Sequence, residues 1–242
     1  MNKFEEYIQR YQGIHDGVDT YLVDTSLDTP RLNSLGKPLF DGSQFGYKFP
    51  PYIEQVIEAK GRAITLLDYG CGQAVHTYQI LSRHGNKTLL GRLNGMVQCY
   101  YCYDPAVKKY NMKPPQGMVF DLSCCADVME HVPEEYVPMV LTEIGSYTKM
   151  DGALIFSISA NPARKLFNNG ENLHITIKPL EWWINAIQSY IGDKSFLIFH
   201  TDDQRLPLGE EDRTKAIIIR YYNSKSFPIW KGEGVEGVEE IK

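Results

Sequence analysis

Apolar residues in this chain fall into short blocks whose spacing changes along its length. Residues 4–11 have the three- and four-residue spacing of a short amphipathic helix. Residues 13–49 lose that period and are rich in Gly, Pro, Asp and Ser, which marks an irregular arm or lid. After Pro51, the residues Ile53, Val56 and Ile57 share one helical face, and Gly61 ends the helix. Residues 63–67 are an apolar run closing on Asp68, Gly70 and Gly72. That pattern predicts a buried strand, a tight turn and a helix through about residue 83. Residues 84–95 read as a loop, and residues 97–103 and 118–125 as strands. A helix over 133–147 follows, then a turn at Asp151 and Gly152, a strand over 153–159, and a helix over 181–190 with Pro179 near its start. Residues 195–201 and 216–222 are two further strands.

Strands alternating with helices predict an α/β fold, a doubly wound and mostly parallel sheet with helices on both faces. The last two strands are joined only by the polar residues 202–215, which lack the apolar period of a crossover helix. They therefore read as a C-terminal antiparallel hairpin. The organisation expected is an N-terminal arm or lid over 1–50, one domain over 51–230, and a Gly- and Glu-rich flexible tail over 231–242. Phe40, Phe45, Tyr47 and Phe49 in the arm either anchor it to the core or line a pocket.

The 242 residues suit one large α/β domain. No apolar run reaches the ~18–20 residues that cross a bilayer, and the N-terminus lacks the apolar stretch of a secretory signal. The expectation is a cytoplasmic protein with no membrane partner. A net charge of −5 disfavours a nucleic-acid partner without excluding a local basic patch. The five cysteines form no obvious disulfide framework. Cys99 and Cys102 make a C-x-x-C spacing, but within a strand they point to opposite faces and read as small buried apolar groups.

Chemistry concentrates in LLDYGCGQ, residues 66–73. An acid ends a buried strand, and Gly70 and Gly72 let backbone approach a ligand closely because no Cβ intervenes. Asp104 ends the next strand, where a carboxylate can accept hydrogen bonds from a ribose. The dinucleotide fingerprint asks for Gly or Ala at the position held by Val75, and Asp68 would repel a pyrophosphate but suit an ammonium group. These features disfavour a nicotinamide oxidoreductase.

Over residues 52–222, LLDYGCGQ, YCYDP, FDLSCCADVMEHVPEEYV and the terminal hairpin resemble the class I S-adenosylmethionine-dependent methyltransferases. More narrowly, NLHITIKPLEWW and DVMEHVPEE are similar to uncharacterised bacterial and phage members. The resemblance implies a seven-stranded sheet and S-adenosylmethionine as cofactor. It places Asp68, Gly70 and Gly72 around the methionine part, Asp104 on the ribose, and the backbone of Cys125, Ala126 and Asp127 near the methyl group. Ala74 stands where the family often has a third glycine. The short segment 105–117 abbreviates the family's usual strand and helix there.

Methyl transfer to an oxygen or nitrogen needs alignment, water exclusion and a base for the acceptor's proton. Glu130, His131 and His174 lie after strands at the expected ligand edge and are the candidate catalytic residues. Each histidine also reads as an ordinary one, His131 as a helix-start histidine bonded to backbone and His174 as a loop histidine holding the lid. His15, His76, His84 and His200 have no such context. Trp182 and Trp183 divide between core packing and stacking on an acceptor. Arg164 and Lys165 read equally as an anion contact or a solvated turn. The expected acceptor is a small molecule or sugar, with no metal required. In an alternative, Asp127, Glu130 and His131 are similar to the E-x-x-E-H site of small-RNA 2′-O-methyltransferases, and His174 ahead of Leu180, Glu181 and Trp182 is similar to that family's histidine before an F-E-W, which implies a divalent metal and an RNA acceptor. A non-catalytic S-adenosylmethionine-binding protein is the remaining reading.

Overall fold

A computed structural model describes residues 2–17, 21–23, 50–74, 96–163, 165–191, 196–202 and 214–221. Its centre is a six-stranded sheet in which every strand but one runs parallel. In chain order the elements are α1 (Lys3–His15), β1 (Tyr21–Val23), α2 (Pro50–Lys60), β2 (Ile64–Tyr69), β3 (Val97–Tyr103), β4 (Phe120–Ala126), α3 (Val137–Ser146), β5 (Thr148–Ser159), β6 (Lys165–Phe167), α4 (Leu180–Ile191), β7 (Phe196–Asp202) and β8 (Thr214–Tyr221). The sheet order is β3-β2-β4-β5-β8-β7, and β8 is antiparallel to both neighbours.

Side-chain alternation explains why the sheet is covered twice. Leu66, Leu122, Cys124, Ala126 and Ile155 face Tyr52, Ile53, Val56 and Ile57 of α2. Their chain neighbours Leu67, Cys125, Leu154 and Phe156 face Leu141 and Ile144 of α3 and Trp183 and Ile187 of α4. A third cluster joins Tyr7, Tyr11 and Ile14 of α1 to Ala106, Phe167 and Leu173. The predicted α/β class, mostly parallel sheet, two helical faces and terminal hairpin are all present. No described helix is long and apolar enough to cross a membrane.

Several local expectations change. Asp151 and Gly152 do not form a turn ahead of the strand: β5 begins at Thr148 and bulges. Phe120 pairs with Thr148, yet Leu122 pairs with Ala153. The bulge brings backbone close, since a Cβ on Gly152 would lie 2.9 Å from the Lys149 carbonyl oxygen. The helix expected over 133–147 starts as two 3₁₀ turns, Met129–His131 and Glu134–Tyr136, and is α-helical only from Val137. Lys165 belongs to β6, which pairs antiparallel with β1; both strands lie where irregular chain was expected. Residues 105–119 hold turns and no strand, so the resemblance's seventh strand has no counterpart among the described residues. The helix read after Gly72, the loop over 84–95, the arm aromatics, His76, His84, Arg164 and the tail lie outside the described residues.

Candidate functional site

Strands β2, β3, β4 and β5 are parallel, so Gly70, Asp104, Asp127 and Ser159 emerge at one edge of the sheet. The strand order reverses between β2 and β4. In a doubly wound sheet that reversal opens a crevice beyond the carboxyl ends.

The first wall of this crevice is the bend after β2. Gly70 and Gly72 both take left-handed backbone, φ +77° and +53°. A Cβ at Gly70 would lie 2.2 Å from a Val128 methyl, so both the conformation and the contact demand glycine. The amides of Gly70 and Cys71 donate to the Tyr103 carbonyl at 2.7 and 3.2 Å, which ties the bend to the end of β3. Ala74, at the third-glycine position of the resemblance, is also left-handed at φ +54°. The backbone shape is therefore kept without the glycine, at a cost of about 1 kcal/mol.

Asp104 anchors the same bend. One carboxylate oxygen accepts from Gly72 N and the other from Ala106 N, both at 2.8 Å. Burial pushes its pKa up to about 6; the two amides oppose that shift, and the nearby Asp68 charge adds to it. Asp68 itself accepts from the Tyr100 hydroxyl at 2.8 Å. The Cys71 thiol donates to the Gly72 carbonyl at 3.5 Å, and the neighbouring Cys102 thiol, burial and the Asp68 charge push its pKa well above the ordinary thiol range.

The second wall follows β4. Cys125 and Ala126 are buried, each in the core on its own side of the sheet. Asp127 takes φ +52°, a conformation that Asp tolerates better than most residues. Its amide donates to the Ser157 carbonyl and its carboxylate accepts from the Ser157 hydroxyl, each at 2.7 Å. The chain then enters the 3₁₀ turn carrying Glu130 and His131. The Glu130 carbonyl accepts from Ile175 N and Thr176 N at 2.9 and 3.0 Å, and the Thr176 hydroxyl donates to the Val132 carbonyl. This clasp brings the segment bearing His174 against the turn bearing His131.

Three of the predicted residues meet there. One ligand-type atom each from Glu130, His131 and His174 lies within 4.8 Å of the others, and the two imidazole rings meet edge to face with centroids 4.9 Å apart. Glu130 is fully buried and accepts from Ser159 N at 3.0 Å. His131 Nδ1 lies 2.9 Å from the Leu173 carbonyl, and His174 Nδ1 lies 2.6 Å from the Asn161 carbonyl. A carbonyl only accepts, so both Nδ1 atoms carry protons and the lone pairs of the neutral rings sit on Nε2. Asp127, grouped with these residues by sequence, is instead bonded to Ser157.

Sequence reasoning passed over Tyr11. It appeared only as the end of a short helix, yet its hydroxyl reaches both His131 Nδ1, at 2.9 Å, and the Leu173 carbonyl, at 2.5 Å. Residues 120 positions apart carry no local signal of such a contact. Asn172 was equally silent: its side-chain amide bonds the Ala163 backbone twice, at 2.8 Å, and its oxygen also receives His174 N at 2.9 Å. Trp183 is core, whereas Trp182 is half-buried with Lys178 Nζ 5.4 Å from its ring. His15 is held by burial at a lowered pKa of about 4.

No family model matches the chain, and no curated protein matches it. Many solved structures similar to it are S-adenosylmethionine-dependent methyltransferases. One is the 1,6-didemethyltoxoflavin-N1-methyltransferase of Burkholderia thailandensis, solved with 1,6-didemethyltoxoflavin and S-adenosylhomocysteine. It shares 14% identity at a TM-score of 0.49 over 90% of each chain. Another is an Archaeoglobus fulgidus S-adenosylmethionine-dependent methyltransferase, at 14% identity and a TM-score of 0.48 over 72% of this chain and 91% of that one. A third is a possible histamine N-methyltransferase of Thermotoga maritima, at 12% identity and a TM-score of 0.43 over 74% and 92%.

Proposed function

We propose that the protein is an S-adenosylmethionine-dependent methyltransferase acting on an oxygen or nitrogen of a small-molecule or sugar acceptor. The observation that carries this reading is the Gly70–Gly72 bend held by Asp104 at the strand-order reversal. Two carboxylates, Asp68 and Asp104, flank a backbone cradle that glycine keeps open. Asp68 already raises the Asp104 pKa, so a cationic ligand relieves a strain that a pyrophosphate would worsen. S-Adenosylmethionine, which carries an ammonium and a sulfonium and no phosphate, suits that donor set and supplies an activated methyl group. Asp104 would take the ribose hydroxyls, Asp68 and the bend the amino-acid end, and the backbone of residues 125–127 the region of the methyl group.

His131 and His174 present Nε2 lone pairs beside buried Glu130, the arrangement needed to receive an acceptor's proton. Glu130 lies close enough to stabilise the imidazolium that results. Titration calorimetry tests the reading directly. S-Adenosylhomocysteine is expected to bind and NAD to fail, and Asp104→Ala should weaken binding by about 1.5–3 kcal/mol, the range for hydrogen bonds to a charged group. Binding of NAD in preference, or unchanged affinity in Asp104→Ala, would sink the assignment.

A second reading is metal-assisted transfer to a hydroxyl, with an RNA 2′-oxygen as one acceptor of that type. It is favoured by the meeting of Glu130, His131 and His174. The residues fit a divalent ion: metal-ligating imidazoles usually donate their other ring N–H to a carbonyl, as both do here. Such an ion would lower the pKa of a bound hydroxyl. Exhaustive chelation separates the readings. Full activity afterwards supports histidine acting alone; activity lost and restored by one added divalent ion supports the metal.

A further inference from the structure

We infer that Tyr11, on the N-terminal helix, is a positioning residue for His131: with the Leu173 carbonyl it holds the imidazole proton on Nδ1, so that Nε2 is the nitrogen presented to the reaction. The geometry around His131 Nδ1 admits one consistent pattern. The Tyr11 hydroxyl has a single proton, and the Leu173 carbonyl, 2.5 Å away, can only accept it. The Tyr11 oxygen is then left as an acceptor toward Nδ1 at 2.9 Å, and the Leu173 carbonyl is a second acceptor at the same distance. A lone pair on Nδ1 would face two oxygen lone pairs, whereas a proton there is shared between them.

The helix carrying Tyr11 is secured by contacts that do not involve the histidine. Arg10 donates to Glu171 at 2.7 Å and to Asn169 at 3.1 Å, with its guanidinium carbon 3.7 Å from the Phe167 ring centre. The Tyr7 hydroxyl donates to Glu171, and Phe4 stacks on Tyr136 with ring centres 5.2 Å apart. Asn2 and Glu5 close a capping box at the helix start. Tyr11 is therefore held rigidly, and its ring meets His131 edge to face at 5.2 Å. The same helix shares its buried cluster with Ala106, whose amide is bonded to Asp104. One element thus spans the proposed ribose acid and the proposed base, which makes α1 part of the site.

The test is nitrogen-15 and proton NMR of the imidazole in chelator-treated full-length protein, beside methyl-transfer kinetics. Wild-type His131 should show a protonated Nδ1, an unprotonated Nε2, and a slowly exchanging Hδ1 with a cross-peak to Tyr11. Tyr11→Phe keeps the ring and removes the hydroxyl; Hδ1 exchange should accelerate at least tenfold. Tyr101→Phe, which removes a hydroxyl bonded to the Met112 and Lys113 carbonyls away from this helix, should leave it within twofold. A proton found on Nε2 in the wild type, or Hδ1 exchange unchanged in Tyr11→Phe, overturns the inference. If Tyr11→Phe does not fold, the wild-type spectrum decides: the Hδ1 to Tyr11 cross-peak supports the inference and its absence overturns it. The kinetic arm rests on the proposed methyl transfer: kcat in Tyr11→Phe should fall tenfold or more while the cofactor KM stays within twofold. Absence of transfer in the wild type would remove that reading and leave the spectroscopic result standing.

Discussion

Asp104 and Asp121 are both buried aspartates on neighbouring parts of one sheet, and their surroundings drive them in opposite directions. Asp121 lies toward the amino end. Its two oxygens take Arg62 at 2.6 and 3.1 Å, Lys149 at 3.0 Å and Thr65 N at 2.9 Å. Burial alone would raise its pKa, but these partners outweigh burial and hold the carboxyl well below the usual range. Asp104, at the carboxyl end, receives only two backbone amides, and burial prevails. The two non-glycine residues with left-handed backbone among the described residues, Ala74 and Asp127, also sit at the carboxyl end. Charges are neutralised where the sheet only needs to hold together. Electrostatic and conformational strain is retained at the carboxyl end, where the proposed cofactor would sit.

The largest way to break this contrast is Gly70→Ala. The new methyl would meet Val128 at 2.2 Å on backbone of φ +77°. A loss of about 2–5 kcal/mol is expected from overpacking and left-handed strain together. Urea unfolding measures it, and adding Val128→Ala should recover the packing share and leave the backbone share. Full recovery would mean the left-handed turn is not a constraint.

Next in size are the opposed pH slopes. The folded Asp104 pKa, about 6, lies above its ordinary 3.8, so ionisation is costlier in the folded chain. Its effect favours folding at low pH and is lost as pH rises from about 4 through 6, by about 3 kcal/mol in all. Asp104→Asn should therefore flatten that part of the stability profile. Asp121, with a lowered folded pKa, behaves inversely: its stabilisation is present above about pH 4 and disappears as pH falls below it. Asp121→Asn should cost about 2 kcal/mol at pH 7, since Arg62 stays partly solvated, and should remove the acid-limb slope. Parallel slopes for the two variants would erase the distinction between the ends.

The smallest effect is expected at Ala74→Gly. Relief of left-handed strain, about 1 kcal/mol, is offset in part by the greater freedom of glycine in the unfolded chain. A slight rise in stability is expected. A fall would place the importance of Ala74 in its buried methyl instead of its backbone.

Much of this was readable in the chain because it depends on local pattern. The apolar run at Ile64 and Leu66–Leu67, the Gly70–Gly72 punctuation and the acid at 104 each follow from a period or a turn requirement within a few residues. The bulge at Asp151–Gly152 was not readable that way, because turn-forming residues and a bulged strand share one composition, and only pairing with β4 distinguishes them. Strands β1 and β6 are three residues each and exist because they pair with one another. At the site, Glu130 and His131 are adjacent in sequence and could be flagged together. Their junction with His174 required the Ile175 and Thr176 amides to find the Glu130 carbonyl.

Local sequence determined the strands of the central sheet and the helices that cover it, where glycine must open a bend and which acids end strands, because each depends on neighbours along the chain. Tertiary structure alone decided that Asp104 would bind Gly72 N, that Asp127 would turn to Ser157, and that Tyr11 would reach His131. Those choices are hydrogen bonds between groups distant in sequence. Which acceptor a buried donor finds depends on the packing of whole elements, which the order of residue types does not encode locally.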